Sequence, residues 1–138
     1  MWPSVPVHCP AVGRLGLLCV LALAVAACGG GGTTLYTKDA TSSCLVGHGL
    51  SPHPADDDFV ASSATGGAFR VDVMGNRVTV SFGETADDAR NLDEAYRRFH
   101  ASNVGIDDIL RDQQNAVMLW RNHPLDSQLA AITGCLKG

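Results

Sequence analysis

The chain has 138 residues, with fourteen acidic side chains against ten basic ones and a formal net charge of −4. That is length for one domain with a core of respectable size, and there is no basic stripe to neutralise a phosphate backbone, which argues against nucleic acid as a partner. Five cysteines without a Cys-x-x-Cys pair weigh against redox-pair and structural-metal chemistry.

Residues 1–27 read as an export signal. Arg14 is the only charged side chain before Lys38, and residues 15–27 (LGLLCVLALAVAA) carry none. As a helix rising ~1.5 Å per residue, that run spans roughly 20 Å, short of a ~30 Å hydrocarbon layer. A charge, a short apolar run and then small residues is the order of a secretory signal. The run ends in Val25-Ala26-Ala27-Cys28, which resembles the lipobox of bacterial lipoproteins. The resemblance covers only the N-terminal fifth of the chain. It implies a diacylglyceryl group on the Cys28 thiol, cleavage between Ala27 and Cys28, and residence on the extracytoplasmic face of a bacterial membrane. Ordinary cleavage is the competing reading, since Ala22-Leu23-Ala24 and Ala24-Val25-Ala26 both have the A-x-A form. Four glycines, 29–32, follow Cys28 and suit a flexible tether, and two or three acyl chains anchor more firmly than one. The predicted organisation is therefore signal peptide (1–27), lipidated cysteine and tether (28–34) and one domain (35–138).

Within that domain Leu35-Tyr36-Thr37 reads as a short strand. Asp39 or Thr41 is expected to cap a helix through Val46 that Gly47 ends. After a Gly- and Pro-rich loop, Asp56-Asp57-Asp58 opens a short helix through Phe59-Val60-Ala61. Residues 68–74 and 77–82 alternate around a Gly75-Asn76 turn, which predicts a hairpin. Phe69, Val71, Val73, Val78, Val80 and Phe82 then face inward, while Arg70, Asp72, Arg77, Thr79 and Ser81 face out on a sheet covered on one side only. Thr85 caps the next helix, whose apolar stripe is Ala89, Leu92, Tyr96 and Phe99. The run 116–120 (AVMLW) reads as a buried strand, with Trp120 a packing residue. Leu125, Leu129, Ile132 and Leu136 recur at helical spacing at the end. The order predicts an α+β fold, a small mostly antiparallel sheet with helices on one face, similar in order to a ferredoxin-like split βαβ with an extra C-terminal helix.

With Cys9 and Cys19 in the signal and Cys28 acylated, Cys44 and Cys135 remain. In an oxidising compartment an even remainder favours a disulfide, worth up to ~4.5 kcal/mol in the chain-entropy model. Neither cysteine has a histidine within two residues. His48 and His53, with Asp56, Asp57 and Asp58, form the densest cluster of possible metal ligands. Imidazoles with a carboxylate suit Zn²⁺ or Cu²⁺, although the spacing fits no standard metal motif. Asp56 and Asp58 also have a plain explanation as acidic residues at a helix start. Nucleophile-elbow, P-loop, zinc-protease and dinucleotide motifs are absent, and no cofactor is implied. The sequence thus predicts a non-catalytic, lipid-anchored module that binds an envelope protein or small ligand. A periplasmic metal-binding protein using His48, His53, Asp56 and Asp58 is the second reading, and an enzyme of unrecognised type the third.

Overall fold

The computed structural model describes residues 34–100 and 105–138. The expected signal peptide, its cleavage position at Ala27 and Cys28, and the tether up to residue 33 lie outside the described residues. Strands β1 (Ala68–Val73), β2 (Asn76–Phe82), β3 (Leu110–Gln113) and β4 (Ala116–Trp120) form one antiparallel sheet in the order β1-β2-β4-β3. Helices α1 (Lys38–Gly47), α2 (Ala86–His100), the single turn α3 (Ile106–Ile109) and α4 (Asp126–Thr133) pack against it, with a short 3₁₀ turn at Ala61–Ser63. The α+β class is as expected. Among the described residues no helix is long and apolar enough to cross a membrane.

The helices lie on both faces of the sheet rather than on one. Val78, Val80 and Phe82 of β2 pair with Trp120, Met118 and Ala116 of β4 and share a core with Leu45, Ile132 and Cys135. The opposite face gathers Leu110 and Val117 against Ala89, Leu92 and Tyr96 of α2. Thr79 and Ser81, expected to face water, are therefore buried, at 6% and 0% exposure. Small hydroxyls tolerate this when paired. Ser81 Oγ lies 2.9 Å from the Tyr96 hydroxyl, so neither is left without a partner beneath α2.

Both β2 and β3 run antiparallel to β4, and so parallel to each other, with α2 and α3 in the connection between them. That is a split β-α-β unit, but β1 occupies the flank beside β2, and residues 35–37 form no strand. A single side chain replaces the strand ladder there. The Tyr36 N–H donates to Asn115 Oδ1 at 2.8 Å, while Asn115 Nδ2 donates to the carbonyls of Tyr36 and Gly83.

The first hairpin turns at Met74-Gly75, one residue earlier than expected, because Val73 pairs with Asn76. Both turn residues have positive φ, +47° and +78°, as a type I′ turn requires. Moving the turn by one residue shifts the pairing by two, so the same side chains remain inward. Asn76, released from the turn, is buried, donating to the Asn122 carbonyl and Gln128 Oε1 and accepting from the Asn122 N–H. Thr85 and Asp88 cap α2 reciprocally, as the sequence suggests: the Asp88 N–H donates to Thr85 Oγ1 and the Thr85 N–H to Asp88 Oδ2.

The side chain of Thr37 caps α1, its Oγ1 accepting from the Ala40 N–H. The Thr37 N–H also donates to the Lys137 carbonyl at 2.7 Å. The expected Cys44–Cys135 disulfide is formed, across a Cα–Cα distance of 5.4 Å.

Candidate functional site

Asp58 sets the direction of the side chains that follow it. Its Oδ1 accepts from the Val60 and Ala61 N–H groups, both at 3.0 Å, capping the 3₁₀ turn. Val60 is thereby committed to the α2 core, and Phe59 points outward with 75% of its surface exposed. Phe99, expected on the buried stripe of α2, is also exposed, at 57%. The buried stripe ends at Tyr96. The two phenylalanine rings instead meet edge to face, their centroids 5.6 Å apart and planes at 80°, an arrangement the ring quadrupoles favour.

Beside the rings is an open cleft of about 520 Å³ whose other walls are Asp57, Arg70 and His100. Arg70 reaches it from β1, with Nη1 2.9 Å from both carboxylate oxygens of Asp57. Its backbone pairs with His53, which carries the loop before Asp57 across the strand. The hydrogen bond from Arg70 holds the Asp57 carboxyl below its usual range, and the same bond raises the guanidinium of Arg70 further. Both stay charged through the neutral range. Beneath them, burial pushes the Tyr96 phenol well above its ordinary value, opposed by its bond to Ser81. Arg70 also lines a neighbouring hollow with Arg77, Thr79, Leu119 and Arg121. Of these, Arg77 is paired across the hairpin with Asp72 at 3.1 Å. Arg70, Asp72 and Arg77 are thus the part of the expected polar hairpin face that stays accessible. Trp120 is a core residue at 1% exposure.

The sequence-predicted metal ligands His48, His53, Asp56 and Asp58 are not brought together. His53 is held by its backbone against Arg70, Asp58 is engaged in its cap, and Asp56 is exposed. Among the described residues, the group of three possible ligands that the fold does assemble is Cys44, His48 and Cys135, with ligand atoms all within 4.8 Å of one another. His48 caps the C-terminus of α1, four residues after Cys44, its N–H donating to the Cys44 carbonyl. A search for histidine within two residues of each cysteine misses it, since helical side chains meet at a spacing of four.

Comparison of the chain with protein-family models, with curated proteins and with solved structures finds no match in any of the three.

Proposed function

We propose that the protein is a lipid-anchored module of a bacterial envelope that binds another envelope protein, without catalysis, through the surface formed by Phe59, Phe99 and Arg70. The exposed Phe59–Phe99 pair carries this reading. The domain buries Tyr96 and Trp120 completely yet leaves these two rings in water. Covering apolar surface is worth about 25 cal/mol per Å², so the pair is a ready source of binding free energy. Aromatic side chains and arginine are also the residues that dominate the centres of protein interfaces. Arg70 is pre-oriented by Asp57 and has further N–H groups to offer. The partner segment that fits places an apolar side chain on the rings and a carboxylate or carbonyl oxygen near Arg70. An open cleft suits such a segment better than a small ligand, which needs most of its surface enclosed. The anchoring part rests on the lipobox resemblance at Cys28, and the disulfide is consistent with an extracytoplasmic compartment.

A photoreactive phenylalanine analogue at position 59, in the full chain within its own envelope, tests the surface. A discrete cross-linked species is expected that weakens when Phe99→Ser is added. The same analogue in place of Val46, exposed on α1, should not give that species. Absence of an adduct from position 59, or the same adduct from position 46, would overturn the reading. For the anchor, Cys28→Ser should abolish acyl labelling, and labelling that persists would remove it.

A further inference from the structure

A second place in the molecule gathers reactive side chains that the binding surface does not use. Cys44 and His48 lie four residues apart at the end of α1, and Cys135 follows α4 in the chain; their two sulfurs and one imidazole nitrogen are within 4.8 Å of one another. His48 and Cys135 also line an apolar cleft of about 430 Å³ with Leu50, Val73, Met74 and Ala131. His48 is exposed and Cys44 is partly so, which leaves the cluster open to solutes.

We propose that reduction of the Cys44–Cys135 disulfide by a dithiol turns this cluster into a Zn²⁺ site, with the two thiolates and the His48 imidazole as ligands and a fourth position open to the cleft. The reduction balances as thiol–disulfide exchange. The dithiol is oxidised to its own disulfide, and Cys44 and Cys135 take up two electrons and two protons. Zn²⁺ then displaces those two protons, His48 coordinates as neutral imidazole, and water fills the open position. In a tetrahedral site with Zn–S near ~2.3 Å the two sulfurs stand roughly 3.8 Å apart, so they must separate by somewhat under ~2 Å from their bonded distance.

The backbones remain apposed when the sulfur–sulfur bond is broken. Leu45, beside Cys44, and Ile132 and Leu136, on either side of Cys135, are buried in the same core. The Thr37 N–H donates to the Lys137 carbonyl, and the Lys137 N–H to Thr41 Oγ1, two links that do not involve the sulfurs. Two thiolates and one imidazole form a donor set that selects Zn²⁺ over Mg²⁺ or Ca²⁺, which take oxygen ligands. The same link between the first helix and the chain end is therefore made by a disulfide under oxidising conditions and by a metal ion under reducing ones.

The test uses the full chain in detergent, with Cys9→Ser, Cys19→Ser and Cys28→Ser so that Cys44 and Cys135 are the only cysteines. Co²⁺ serves as the spectroscopic probe and Zn²⁺ as its competitor. After reduction, one equivalent of Co²⁺ should develop the visible absorption of a tetrahedral cobalt–thiolate complex, and Zn²⁺ should bleach it with release of protons. The oxidised protein should give no such signal. His48→Ala, at an exposed position, should weaken binding by at least about tenfold, the lower bound for losing even an outer-shell partner. Circular dichroism of the Zn²⁺-bound reduced chain should match the oxidised protein. No cobalt–thiolate absorption after reduction would overturn the proposal. So would equal affinity in His48→Ala, or a metal-bound chain without native circular dichroism.

Discussion

The Ser81 and Tyr96 hydroxyls satisfy each other where no water reaches. Tyr96→Phe leaves Ser81 as a buried hydroxyl without that partner and should lower folding stability by about 1–2 kcal/mol, measured by urea unfolding. The burial of Tyr96 has a pH signature of its own. Burial raises the Tyr96 pKa in the folded state, so its contribution is complete below the ordinary phenol range near ~10 and is lost as pH rises through the folded value. Alkaline unfolding should accordingly release the Tyr96 phenolate absorbance together with the loss of structure, and Tyr96→Phe should move that transition to higher pH. Asp57 has the opposite sign. Its carboxyl is depressed by the bond from Arg70, so the interaction is present above the ordinary carboxylate range and disappears as pH falls through the lowered folded value. A carbon-detected NMR titration should place Asp57 low in the native protein and return it upward in Arg70→Ala. Strand alternation alone marks Ser81 as outward, because it sees a polar side chain and cannot see the hydroxyl that will cover it. Phe99 fails the other way: apolar periodicity continues through the last turn of α2, yet the ring leaves the core for Phe59.

At the scale of elements, side chains substitute for backbone pairing at several junctions. Asn115 holds Tyr36 and Gly83 by both ends of its amide, and Asn76 and Gln128 tie the first hairpin to the start of α4. Such links leave no periodic trace, which is why the segment at 35–37 reads as a strand and is none. Strand β3, Leu110–Gln113, has a single apolar residue and so gives no alternation; its pairing with β4 supplies what its sequence lacks. The Met74-Gly75 turn is a clearer case. Met74 has φ +47°, a conformation that a long side chain adopts only at a cost. Met74→Asn creates the favoured Asn-Gly pair for this turn and should raise stability by about 0.5–1 kcal/mol, read as a higher melting temperature. An unchanged or lowered melting temperature would show that the Met74 side chain contributes more than its backbone conformation costs. The hairpin itself, the α2 cap and the buried β4 strand were all legible, since each is fixed by local pattern and turn chemistry.

For the molecule as a whole, the sheet is a middle layer, with α2 on one side and the disulfide-linked end with α4 on the other. Class and cysteine pairing could be read from the sequence: the first follows from strand and helix periods, and the second from an even remainder of two cysteines. Two-sided cover could not, because it depends on where the long connection through α2 returns. The cleft beside the aromatic pair was equally hidden, as it joins Phe59, Arg70 and Phe99 from three separate segments. Reduction of the Cys44–Cys135 bond should lower folding stability by about 2–4 kcal/mol in the absence of metal, measured by denaturant unfolding with and without a phosphine reductant.

The bond joins residues 91 positions apart, and nearly all of the folded domain lies within the covalent ring it closes. A protease that cuts once anywhere between Cys44 and Cys135 therefore opens the ring but frees nothing. Both fragments stay attached to each other and to whatever holds the N-terminal end. Shedding a piece of the domain takes a second cut inside the ring, or reduction as well as a single cut. A clipped molecule would migrate as two bands only under reducing conditions.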